Sequence, residues 1–84
     1  MYSVEYTREA RKALKAMPRN ASVLVMSKIE VLAADPARAQ NVKKLVGRPG
    51  YRLRVGDWRV IYTLDAGRLI VCVLDIGARG GIYQ

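Results

Sequence analysis

Residues 51–76 constrain the fold more than any other part of the chain. Tyr51, Leu53 and Val55 alternate with Arg52 and Arg54, and that period of two requires a strand with one apolar and one cationic face. Gly56-Asp57 turns the chain, residues 59–64 (RVIYTL) form a second strand, Asp65-Ala66-Gly67-Arg68 turns it again, and residues 69–76 (LIVCVLDI) form a third. Turns this short join antiparallel neighbours, so the three segments predict a meander. The nearly continuous apolarity of the third points to a central strand covered on at least one face.

Ahead of the meander the period changes. Residues 2–6 (YSVEY) alternate and read as a strand. Thr7 is placed to cap a helix in which Ala10, Leu14 and Met17, at i, i+4 and i+7, make a narrow apolar stripe among Arg8, Arg11, Lys12 and Lys15. Pro18 ends that helix, and residues 18–20 form a short connection. Asn20 or Ser22 then caps a second helix running to about Ala34. Its apolar face is Val25, Ile29 and Leu32, with Met26 and Ala33 beside them, and Asp35-Pro36 stops it because a residue before proline is pushed out of the helical region. So short a loop lays the two helices antiparallel, as a hairpin.

Residues 37–50 have no clear period: Val42, Leu45 and Val46 stand among Asn41, Lys43 and Lys44, and Gly47, Pro49 and Gly50 mark a turn. Residues 77–81 (GARGG) read as a flexible segment after the third meander strand. The order is β-α-α-β-β-β. The expected class is α+β, with an N-terminal strand and a helical hairpin packed on one face of a small, mostly antiparallel sheet. Residues 1–84 read as a single domain without linker, repeat or low-complexity segment.

Composition narrows the chemistry. The chain has 84 residues, 15 Lys plus Arg, 7 Asp plus Glu, no His and one Cys, for a net charge of +8. Without His there is no Ser-His-Asp triad, Cys-His pair or His metal site, and one Cys makes neither a thiolate cage nor an intrachain disulfide. No metal and no cofactor is expected, because the acids form no calcium-loop cluster and the glycines lack phosphate-loop spacing. No signal peptide is visible, and the longest apolar run, residues 69–74, is far below the roughly 20 residues of a membrane span. A cytoplasmic protein with no membrane partner is the expectation, and the lone Cys fits a reducing compartment. The charge calls for an anionic partner.

The helix-free face of the sheet carries the candidate site. Arg52 and Arg54 point to one side of one strand, Arg59 starts the next, Arg79 follows the last long strand, and Tyr83 lies four residues on. These five side chains are expected to converge on one concave surface.

The run Gly50-Tyr51-Arg52-Leu53-Arg54-Val55-Gly56-Asp57-Trp58-Arg59-Val60-Ile61-Tyr62 resembles the middle of RelE/ParE superfamily toxins. Asp75-Ile76-Gly77-Ala78-Arg79-Gly80-Gly81-Ile82-Tyr83 resembles their ending, and Tyr6-Thr7 entering a charged helix is similar to their start. The resemblance covers essentially the whole chain and is closer to the RelE-like mRNA interferases. It implies the toxin of a type II toxin–antitoxin pair, a ribosome-dependent endonuclease that cleaves mRNA in the A site and stops translation. The alternative it implies is a ParE-like inhibitor of DNA gyrase without nuclease activity. The implied partners are a cognate antitoxin, the ribosome and mRNA, with operator DNA bound through the antitoxin. By motif position, the family's catalytic set matches Arg52, Arg54, Arg59, Arg79 and Tyr83. This chain departs from the family where Arg52 and Arg54 replace Lys of well-studied members, where Ala78 replaces a frequent His or Lys, and at Gly80 and Gly81. Ala78 is expected to lower activity without abolishing it.

The chemistry assigns roles to those residues. Cleavage by the RNA 2′-hydroxyl needs a base, in-line geometry, charge stabilisation at the phosphorane and an acid for the 5′-oxygen. Arginine is a poor base but a good phosphate clamp, because its planar fork matches two oxygens. Arg52, Arg54, Arg59 and Arg79 are therefore read as clamps and Tyr83 as the proton-transfer group. Lys43, Lys44 and Arg48 extend the basic surface and, with Arg52 and Arg54, are the expected RNA contacts. The plainer readings are a solvated face for Arg52 and Arg54, core positions for Tyr51, Tyr62 and Cys72, and an edge contact for Trp58. A basic domain that holds phosphates and cuts nothing is a third function. The antitoxin's binding segment is expected to be acidic, amphipathic and ordered on binding.

Overall fold

A computed structural model describes residues 1–78. Strand β1 (Ser3–Tyr6) leads into helices α1 (Arg8–Ala16) and α2 (Arg19–Ala34), a 3-10 turn (Pro36–Arg38), and strands β2 (Val42–Lys44), β3 (Tyr51–Val55), β4 (Trp58–Asp65) and β5 (Ile70–Ala78). The strands form one sheet in the order β1-β5-β4-β3-β2. The pairs β2–β3, β3–β4 and β4–β5 are antiparallel, as the tight turns require, and β1 lies parallel to β5. Two helices on a mixed sheet make the α+β domain expected from the periodicity.

The core lies between the helices and one sheet face. Val25, Ile29 and Leu32 of α2 meet Val60, Tyr62, Val71 and Val73 of the sheet, and each of these side chains is fully buried. Each contributes roughly 1.5–3 kcal/mol relative to an exposed position. Tyr51 stacks on Tyr62 with ring centroids 5.5 Å apart, so both belong to this layer. Thr7 joins the layers: its Oγ1 accepts from the Ala10 N–H at 3.1 Å, capping α1, and donates to the Leu74 carbonyl at 2.6 Å. That carbonyl is accessible because the β4–β5 register shifts between Ile61 and Tyr62: Ile61 pairs with Asp75 and Tyr62 with Val73.

Several expectations are corrected. Neither Asn20 nor Ser22 caps α2. Pro18 is the N-cap, and its carbonyl accepts from the Ala21 and Ser22 N–H groups at 3.0 Å, so no connection intervenes between Pro18 and the helix. Met26 does not join the buried stripe and is 44% exposed. Residues 42–44, which showed no period, add a fifth strand at the sheet edge. Leu69 belongs to the turn, at φ +55°, and the last strand runs past residue 76, where Gly77 and Ala78 still pair with Arg59 and Trp58. Cys72 is not core: it pairs with Glu5 and Thr63 and is only half-buried. Among the described residues no helix is long and apolar enough to cross a membrane.

Candidate nucleic-acid interface

The strand register builds the site. Leu53 and Val55 are buried toward the helices, so the intervening Arg52 and Arg54 project from the opposite face. Arg54 pairs with Arg59 across β3–β4, and Arg52 pairs with Lys43 across β3–β2. Directly paired residues share a face, so these four cations stand in two adjacent cross-strand pairs. Together with Asn41 and Val42 they line a cavity of about 340 Å³. The described lining side chains carry four positive charges and no carboxylate.

Two local features hold this arrangement. Asn41 adopts φ +63°, a conformation Asn tolerates better than most residues, and its carbonyl accepts from the Arg54 N–H at 2.9 Å. That bond sets the start of β2 against β3. At the other end, Gly50 has φ +113°, and its carbonyl accepts from the Leu45 N–H at 3.0 Å. Asn41 was not singled out from sequence as a site residue, and its isolation within an aperiodic stretch carried no signal beyond its turn chemistry.

Of the expected residues, the structure brings Lys43, Arg52, Arg54 and Arg59 together. Lys44 pairs with Tyr51, on the opposite side of β2 from Lys43. Arg48 is exposed in the bend between β2 and β3 and does not line the cavity. Arg79 and Tyr83 lie outside the described residues. Gly77 stands opposite Arg59, whereas Ala78 stands opposite Trp58 and so shares the other face. Ile61 occupies the row between Arg52 and Asp75 on the cationic face and is 3% exposed.

The arrangement can hold an anion of phosphate type: planar guanidinium forks from two strands converge on one depression. Among the described residues no group of three or more His, Cys, Asp or Glu side chains is placed to hold a metal.

A family model described as the ParE toxin of the type II toxin-antitoxin system, parDE, matches residues 4–83. The chain belongs to the ParE toxin family. The toxin is also similar to solved RelE structures, which places it in the wider RelE/ParE superfamily. A chain of the RelBE2 toxin–antitoxin complex from Mycobacterium tuberculosis is 26% identical, with a TM-score of 0.82, over 93% of this chain and 98% of that one. A chain of the archaeal RelE–RelB complex from Pyrococcus horikoshii OT3 is 28% identical, with a TM-score of 0.80, over 95% and 97%. A chain of the intact E. coli RelBE complex, 20% identical with a TM-score of 0.79 over 93% and 96%, shares the fold. No curated protein matches the toxin.

Proposed function

We propose that this toxin is a ribosome-dependent endonuclease that cuts mRNA in the ribosomal A site. The observation that carries the reading is the convergence of Lys43, Arg52, Arg54 and Arg59 on one cavity of the helix-free face. Arg52, Arg54 and Arg59 clamp the non-bridging oxygens of the scissile phosphate and offset the charge that grows as the 2′-oxygen attacks. Arg79 completes the clamp and Tyr83 transfers a proton, as the family motif implies. A site built mainly of clamps depends on substrate geometry, and the ribosome supplies it by holding the messenger in an in-line shape.

The second reading is a gyrase inhibitor that cuts nothing, and the match to the ParE model favours it. Either target is cytoplasmic. In both readings a cognate antitoxin holds the toxin inactive, which the toxin–antitoxin complexes of the M. tuberculosis and P. horikoshii relatives support. Its binding segment is acidic and amphipathic, to complement a chain of net charge +8.

Primer extension on a defined messenger, with and without 70S ribosomes, tests the reading on the toxin and its Arg59→Ala and Arg79→Ala variants. The expected result is cutting inside the coding region only when ribosomes are present, lost in the variants. A folded toxin that inhibits growth, cuts nothing and blocks gyrase supercoiling would replace this reading with the second.

A further inference from the structure

The cavity contains one lysine among its arginines, and that difference has chemical content. Asn41 is neutral, Val42 is apolar, and a guanidinium keeps its proton in proteins. Lys43 is therefore the one described lining side chain that can give up a proton.

Strand scission creates a demand for one. As the 2′-oxygen bonds to phosphorus, the bond from phosphorus to the 5′-oxygen breaks. The leaving oxygen is a strongly basic alkoxide unless it is protonated on departure. Arginine forks suit the non-bridging oxygens, whereas a lysine ammonium is a compact donor on a flexible stem, suited to a single bridging oxygen.

Resting on the nuclease reading above, we propose that Lys43 is the general acid of the cleavage step. Its ammonium delivers a proton to the 5′-oxygen as the phosphorus–oxygen bond breaks. The products are a 2′,3′-cyclic phosphate and a 5′-hydroxyl end. The proton of the 2′-hydroxyl passes to Tyr83, the proton-transfer group of that reading, and on to water, and water later reprotonates the neutral Lys43 amine, so the protons balance.

The register supports this role over that of a general basic surface. Lys43 stands directly opposite Arg52, and Cβ atoms in such pairs are about 4.5–5.5 Å apart, so both side chains reach one phosphate. Its neighbour Lys44 pairs with Tyr51 on the other face. The Arg54 N–H to Asn41 carbonyl bond fixes the strand just ahead of Lys43.

A chemical bypass separates proton donation from phosphate binding. Ribosomes are programmed with a messenger carrying, at the A-site codon, either an ordinary linkage or a 5′-bridging phosphorothiolate, whose thiolate leaves without protonation. Lys43→Gln and Lys43→Arg are each expected to slow cutting of the ordinary linkage by about 10²–10⁴-fold. Both should cut the phosphorothiolate within a few fold of wild type, which also shows that the variants are folded. Equal losses on the two linkages, or full retention by Lys43→Arg, would make Lys43 a phosphate contact and overturn the inference. No loss in either variant would make it a bystander. Failure of the wild-type toxin to cut either linkage would remove the nuclease reading and this inference together.

Discussion

Arg54 on β3 stands directly opposite Arg59 on β4, and both side chains line the same cavity. Like charges in a directly opposed pair destabilise a sheet, and the neighbouring Lys43–Arg52 pair repeats the arrangement one strand away. The Arg54–Arg59 pair is therefore repulsive where an ion pair would be more stable. Such a local conflict is expected where a surface is shaped for a ligand that supplies the missing negative charge.

Arg54→Glu converts one repulsive pair into an attractive one. It should stabilise the fold by about 0.5–1 kcal/mol and raise Tm by roughly 2–8 °C for a domain of this size. The same change places a carboxylate where a phosphate should sit, so cutting should be lost. Calorimetry and primer extension on the same preparation check both halves. A fall in Tm with activity retained would show that the pair is neither strained nor part of the site.

The meander was legible in sequence because its strands have a period of two and its turns are too short for any other connection. The parity that buried Leu53 and Val55 also placed Arg52 and Arg54 on the open face, and tight turns brought Arg59 beside them. Strand β2 was not legible because three residues carry no readable period, and its pairing with β3 is a non-local contact. The cavity wall formed by Asn41 and Lys43 depends on that pairing. The start of α2 was misread because Asn20 and Ser22 both have side chains that favour a cap, whereas the carbonyl of Pro18 accepts the free N–H groups. Cys72 was misread because a continuous apolar run hides which residues face the helices; its partners Glu5 and Thr63 reveal its side.

The four cations should give anion binding a steep dependence on salt. For single-stranded nucleic acid, log K falls with log salt by about 0.7 per phosphate neutralised. Arg59→Ala should weaken binding of an unstructured oligoribonucleotide at every sequence tested and lower the slope by about that amount. Fluorescence anisotropy between 50 and 300 mM salt reads both quantities. An unchanged slope would place the bound strand away from Arg59.

Gly50 sits where no other residue fits without movement. Its φ is +113°, and a Cβ there would lie 2.8 Å from the Tyr62 carbonyl oxygen, a backbone atom that cannot rotate aside. Gly50→Ala should cost about 1–3 kcal/mol and lower Tm accordingly. Because Gly50 directly precedes β3, the strain falls on the strand that carries Arg52 and Arg54. Activity per folded molecule should therefore drop as well. Gly56→Ala is the comparison: φ there is +58° with nothing within 4 Å, so its cost should be smaller and confined to the turn.

The last expectation concerns alkaline pH. Burial, with a smaller effect from Tyr51, pushes the Tyr62 hydroxyl up to about 12 from an ordinary 10.0. Burial also raises Tyr6, with Glu30 adding repulsion, and the Tyr6 hydroxyl is buried without a hydrogen-bond partner among the described residues. A raised folded-state value means that the neutral phenol is favoured by folding. Its contribution is complete below pH 10 and is lost as pH rises from about 10 to about 12, because the unfolded chain ionises first. Tyr62→Phe removes the ionisation and keeps the ring that stacks on Tyr51. The informative quantity is the difference between wild type and variant in urea unfolding at each pH, which isolates Tyr62 from every other group. Wild type should lose up to about 2 kcal/mol more than Tyr62→Phe across the window. Tyr6→Phe should be nearly neutral at pH 7, since the hydroxyl it removes has no partner to leave behind. Parallel stability curves for wild type and Tyr62→Phe from pH 9 to 12 would show that the Tyr62 hydroxyl is hydrated in the fold.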